Sequence, residues 1–345
     1  MKRPELVRLC TFALLVFSSG AQMSLAATAE EIVASANKEG ALEFYGPLQV
    51  GPEGVRQLGL AFNKKHGLNI IVKFGPSANM DSDLSKVITV AATGKEPEFD
   101  VMVFPDTYHT TLWLKNLHAP FDYKRLGIDP RLIHYDNGTV AFANGFILPA
   151  YNTKILPTHD VPKSWHDLLD PKWKGGKLGM TNGTPAHLAA LAAGSWGEEK
   201  TTKYVEALVR QGLNLGRLGE IYNRLLLGEV LVAVTLTDTF IFTAEKTGAP
   251  IVFTEGIEPV VSAAYHAGVL KGSRHPTAGH LFAAFLTTSE AQQIWGKYVG
   301  HTSAFVPGTR AYKYAQGKQV LFMTQDQAKL VEKLTRLYAK MVGFK

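Results

Sequence analysis

The side chains able to grip a small molecule gather where apolar runs give way to helical patterns. Ser77 and Asn79 lie in FGPSANMDSD, Asp106 and Thr107 in VFPDTYHT, Thr181, Asn182 and Thr184 in GMTNGTPAH, and Asp238, Thr239 and Phe240 in VTLTDTFIF. Short hydroxyl, amide and carboxylate groups at such junctions have two uses. They cap the unpaired N–H groups of a first helical turn, or they stand beside those N–H groups and cradle an anion. Either use fits each junction alone, but recurrence in both halves of the chain points to one shared cleft. Phe240, Tyr108 and Tyr151 are aromatic walls for an organic ligand or simply core residues.

Catalytic patterns are missing from the sequence. There is no Gly-x-Ser-x-Gly elbow, no His-Glu-x-x-His and no phosphate loop, so a hydrolase is only a distant alternative. The eleven histidines are spread singly through the chain. His187 stands apart because it falls in the first turn after MTNGTP, where it either packs or faces a ligand. No catalytic residue, metal site or cofactor is expected.

These junctions need elements to position them. From about residue 29, β-like runs alternate with helical patterns: LEFYG then PEGVRQLGLAFNKKHG, LNIIVKFG then DSDLSKVITVAATG, FDVMVF then TYHTTLWLKN. A second alternating block runs from KLGM to IFTAEKTG. Such alternation predicts βαβ units, a mainly parallel sheet and helices on both faces. In open sheets of this kind ligands bind beyond the carboxyl ends of the strands, where the junctions lie. Two extended runs, TVAFANGFILPAYN and IEPVVSAAYHAGVLKG, separate the blocks and predict two crossings between lobes.

Composition narrows the class further. The N-terminus, MKRPELVRLCTFALLVFSSGAQMSLAA, has a basic start, a short apolar run and a small-x-small end, the pattern of a cleaved leader. Cys10, the one cysteine, sits inside it, so the expected mature chain has no disulfide and no thiol chemistry. The formal charge of +6 falls to +4 once Lys2, Arg3, Arg8 and Glu5 leave with the leader. Basic residues are scattered, which argues against a nucleic-acid surface.

Four segments, YNTKILPTHDVPKSWHDLLDPKWKGGKLGM, LLLGEVLVAV, EKTGAPI and KGSRHPTAGHLFAAFLTTSEAQQIWGKY, closely resemble the periplasmic solute-binding subunits of ABC importers, in the ferric-iron-binding-like branch of the type II class. The resemblance implies a two-lobed α/β protein, each lobe a mainly parallel sheet flanked by helices, with the ligand cleft between lobes. It implies a monomer, not an enzyme, that closes on one solute in the periplasm and hands it to a permease and its ATPase. The expected division is a leader at 1–26, a first lobe built from 27–142 and 262–345, and a second lobe from 143–261. Loops 45–49, 75–81 and 105–108 then line one wall, and 181–187 and 237–240 the other.

In iron-binding members of the branch, an adjacent tyrosine pair follows the strand after a Gly-Glu motif. Here Gly228-Glu229 is present, but the equivalent place reads Thr239-Phe240. Without phenolates a ferric ion loses its main neutralising ligands. The expected solute is therefore a small organic anion, phosphorylated or carboxylated, with ferric iron as the alternative.

Overall fold

The computed structural model describes residues 28–77 and 79–344; the expected leader and Cys10 lie outside them. The first block runs α1 (Ala29–Glu39), β1 (Ala41–Pro47), α2 (Gly51–His66), β2 (Ile71–Ser77), α3 (Met80–Ala92), β3 (Val101–Pro105) and α4 (Asp106–Leu114). After β4 (Ile133–His134), the long β5 (Thr139–Asn152) leads into the second block. There follow β6 (Leu178–Thr181), α5 (Thr184–Leu191), α6 (Glu198–Val209), β7 (Asn214–Gly216), α7 (Leu218–Leu227), β8 (Val232–Thr237), α8 (Asp238–Thr247) and β9 (Ile251–Phe253). The return strand β10 (Val260–Val269) precedes α9 (Pro276–Phe285), α10 (Ser289–Val299), α11 (Arg310–Ala315), β11 (Val320–Phe322) and α12 (Ala328–Val342).

Local chemistry explains several of these boundaries. Thr28 and Glu31 form a reciprocal capping box that opens α1. Gly228 closes α7 at φ 77°, and a Cβ there would also lie 2.8 Å from Ile155, so the Gly of the Gly-Glu pair is a helix stop. The SWHDLLD segment, expected as a helix, forms short 3-10 turns (His166–Leu169 and Pro171–Trp173), because Pro171 interrupts it. Its packing role holds: Trp165 and Trp173 are buried. No helix among the described residues is long and apolar enough to cross a membrane.

The strands form one sheet in the order β2-β1-β3-β10-β5-β8-β6-β7. Its flanks are parallel, β2-β1-β3 on one side and β8-β6-β7 on the other. The centre is antiparallel, because β5 and β10 run against each other and against their outer neighbours β8 and β3. Along β5 nearly every residue is buried, which is what a strand covered on both faces requires. The two long apolar runs of the sequence are therefore the two crossing strands.

A third crossing was not anticipated. Residues 300–304 leave α10, pair with β5 through an Asn144–Thr302 bridge and enter the second block. Several of its backbone groups are buried and matched by side chains. Asn144 Oδ1 accepts from Ala304 N at 2.9 Å, and Gln292 Oε1 accepts from Ser303 N at 2.6 Å while Nε2 donates to the Phe142 and Leu286 carbonyls. Large apolar groups fill each side of the crossings: Phe44, Phe62, Phe282 and Trp295 in the first block, Trp165, Trp173 and Tyr204 in the second.

The C-terminal segment divides between the two sides. Helices α9 and α10 pack on α1 and α2 as expected, whereas α12 packs on α5 and α6. The cause is its apolar stripe, in which Val331, Leu334 and Tyr338 join the second core. Bracing of the first lobe by all the terminal helices is thus corrected.

The crossing is sensitive to its buried amide. Gln292→Ala leaves two carbonyls and one N–H without their partner, and urea denaturation is expected to show a loss of about 2–4 kcal/mol. A loss below about 0.5 kcal/mol would mean that the amide does not hold the crossing together.

Candidate functional site

The site is built where β3 and β8 end on either side of the crossing strands. Residue Tyr265 of β10 pairs with Pro105 at the end of β3 and with Ala143 of β5, and the β5–β10 register breaks between Tyr265 and His266. A register break re-aims side chains. Asp106, the first residue of α4, and Asp238, the first of α8, stand on the two flanks. Both act on the Tyr265 phenol, which burial first, then Asp238, Asp106 and Tyr108, push above its ordinary range.

On the second side, His301 joins the site from the third crossing. Its ring lies 4.7 Å from that of Tyr265, and its Nε2 is 2.5 Å from Thr239 Oγ1 and 3.0 Å from Asp238 Oδ1. The short contact with Thr239 takes the hydrogen bond, so Asp238 Oδ1 and His301 Nδ1 are buried without a hydrogen-bonding protein partner among the described residues. Gly145 of β5 permits this approach: a Cβ there would fall 3.2 Å from Asp238 Oδ1 and 3.3 Å from His301 Nε2.

On the first side, Asp106 Oδ1 accepts from Thr107 N at 2.7 Å, and Oδ2 has only the distant Ala264 N at 3.5 Å. Burial raises this carboxyl from 3.8 to about 6. Tyr135 steadies its backbone by donating to the Asp106 carbonyl at 2.8 Å. Behind Tyr135 lie four imidazoles: His109 and His118 share a 3.0 Å hydrogen bond, His266 pairs with Thr139, and His134 meets His266 edge to face. Burial lowers the pKa of all four, so they form a neutral backing to α4. Tyr108 stacks on Phe104 and donates to Asp81 Oδ1 at 2.9 Å.

The expected site residues are distributed as follows. Asp106 and Asp238 both act on Tyr265, Asp238 and Thr239 meet His301, and Thr107 donates its backbone N–H to Asp106. Asn79 caps α3 by accepting from Ser82 N, and Ser77 donates to Asp83. Thr181 and Thr184 form a buried hydroxyl chain with Thr235, and His187 Nδ1 ends it at 3.0 Å from Thr235 Oγ1; that histidine packs. Asn182 is exposed, with its backbone N–H bonded to Gly216 O. Phe240 packs on Tyr222. The polar side chains of the MTNGTPAH loop are therefore largely taken up by an internal hydroxyl chain rather than by a helix cap.

The electrostatics differ from those that suggested an anion. Of the helix ends expected to meet one, that of α3 is capped by Asn79, while α4 and α8 each begin with an aspartate, Asp106 accepting from Thr107 N. Among the described residues, neither Asp106 nor Asp238 pairs with a lysine or arginine, and Arg310 is engaged by Glu245. The centre is acidic. Also among the described residues, no three His, Cys, Asp or Glu side chains converge as a metal site.

With the geometry established, the chain can be set beside known proteins. Residues 57–319 match the model of the bacterial extracellular solute-binding protein family, and the chain belongs to that family. A comparison with curated proteins finds no match. Among solved structures, iron-bound HitA from Pseudomonas aeruginosa superposes with a TM-score of 0.69 at 18% identity, covering 87% of this chain and 99% of that one. A Trichodesmium protein (IdiA, FutA) in complex with iron and citrate gives 0.70 at 17% identity over 89% and 100%. An ABC transporter substrate-binding protein from Bradyrhizobium japonicum gives 0.67 at 17% identity over 87% and 99%. These likenesses establish the two-lobed α/β fold.

Asp106 provides a test. Its carboxyl ionises at higher pH in the folded chain than in the unfolded one, so its charge costs stability as pH rises from about 4 through 6. Asp106→Asn is expected to stabilise the free protein by about 1–3 kcal/mol at pH 7 and by nearly nothing at pH 4, read by denaturation at both values. Equal effects at the two pH values would contradict a buried, ionised carboxylate.

Proposed function

We propose that this protein is the solute-binding subunit of an ABC import system. It works in the periplasm as a monomer without catalytic activity, closing on one solute and presenting it to a permease and its ATPase. The family supports solute binding, and the Bradyrhizobium protein of the same fold supports the transporter. Lobes formed on either side of β5, β10 and residues 300–304 rotate about those crossings, and the solute stabilises the closed form by touching both.

One observation carries the choice of solute: two carboxylates, Asp106 and Asp238, flank Tyr265 from opposite lobes, one with an unpaired buried oxygen and neither with a lysine or arginine partner among the described residues. A phosphate or carboxylate placed there would meet like charge. We therefore infer an organic solute that brings a protonated nitrogen, with Tyr265 and Tyr108 as its aromatic walls. His301, held by Thr239, stands 3.0 Å from Asp238. This replaces the organic anion expected from the junction residues. Ferric iron, which two proteins of the same fold carry, is less well served, since Thr239-Phe240 stand where a phenolate pair is needed.

Calorimetry with organic amines, organic phosphates and carboxylates, and ferric citrate tests the reading. An amine is expected to bind, with affinity rising between pH 5 and 7 as Asp106 ionises. Asp238→Asn is expected to weaken it at least tenfold, about 1.4 kcal/mol. Binding by an anion or ferric citrate alone would overturn the assignment.

A further inference from the structure

Asp238 has a second face. It forms the inner wall of a cavity of about 530 Å³ in the second block, which reaches Gly300 and Thr302 at the third crossing. The volume lies in the range of pockets for organic ligands of drug size. Part of the lining is apolar and aromatic: Leu148, Ile241, Phe253 and Phe146 line it, and the Tyr314 ring lies 4.5 Å from that of Phe146, while Glu245, Glu255 and Glu258 join Asp238 in making the rest acidic. At the rim, Arg310 is neutralised by two hydrogen bonds to Glu245, and Lys318 Nζ sits 4.4 Å over the Tyr314 ring. Asp238 and Glu255 are both close enough to raise the Tyr314 phenol to about 12, after the larger effect of burial. A chamber with aromatic walls and acidic groups thus opens beside the Asp238 side chain.

We propose that this chamber receives the apolar body of the solute, and that the protein selects organic cations carrying an aromatic or similarly bulky group over small polyamines. The proposal rests on the amine-binding reading of Asp106 and Asp238. A small diamine satisfies the carboxylates and leaves the chamber unfilled. A ring joined to an ammonium by two or three carbons meets Asp238 with its charge and lies against Phe146 and Tyr314. Selectivity then comes from the chamber, and retention of the charge from the carboxylates.

The test uses calorimetry on the full chain with tryptamine, 1,4-diaminobutane and indole-3-acetate. Tryptamine is expected to bind at least tenfold tighter than the diamine, and indole-3-acetate not to bind. Tyr314→Ala should weaken tryptamine tenfold or more while changing the diamine less than twofold. Ile241→Phe, which narrows the chamber without altering the carboxylates, should discriminate in the same direction and guards against misfolding of the first variant. If the diamine binds as tightly as tryptamine and neither substitution separates them, the chamber proposal fails and the amine reading stands. If indole-3-acetate binds and both amines fail, or if neither amine binds at millimolar concentration, the amine reading fails and the proposal with it.

Discussion

The register break between Tyr265 and His266 is the constraint on which the rest of the structure depends. Strands β5 and β10 must pass from one core to the other while remaining paired, and residues 300–304 must cross beside them. A paired central strand has no free backbone groups to spare. Around the crossing, buried side chains of Asn144 and Gln292 accept from the backbone of residues 304 and 303, and Thr139 bonds His266 beside the break. The break brings the ends of β3 and β8 to either side of one tyrosine, and the site follows from that placement.

The site contains groups that are costly in the free protein. A buried carboxyl at Asp106, an unpaired oxygen on Asp238 and an unpaired nitrogen on His301 all reduce stability unless something meets them. Cores are ordinarily purged of such groups, and here they converge from three different elements. The four neutral histidines behind Tyr135 serve a different purpose, packing α4 against β10 so that Asp106 keeps its direction. Under the proposed function, a solute that satisfied both carboxylates would supply binding energy for closure.

Much of the architecture was legible in the residues, for physical reasons. TVAFANGFILPAYN is apolar at almost every position because β5 is covered on both faces, and it lacks the alternation of a one-sided strand. Asp106 and Asp238 stand out in the sequence because they begin helices directly after buried strands. The third crossing was not legible, since GHTSAF has neither alternation nor helical period and looks like the tail of α10. The stripe of α12 announces that the helix packs but does not say on which core. Tyr265 and His301 look like scattered single residues, because their contact depends on the β5–β10 register and on a crossing of five residues. The proposed charge of the ligand rests on a related detail. Helix ends were credited with attracting an anion, although the first residues of α4 and α8 are themselves aspartates.

The central claim is that the cleft holds an organic cation against two carboxylates. Native mass spectrometry of the protein isolated under non-denaturing conditions from the periplasm of cells that make it tests this most directly. The account predicts one co-purified organic molecule with a protonatable nitrogen and an apolar body, lost from an Asp106→Asn, Asp238→Asn double variant. A bound phosphate or carboxylate without a basic nitrogen, or a ferric ion, would contradict it.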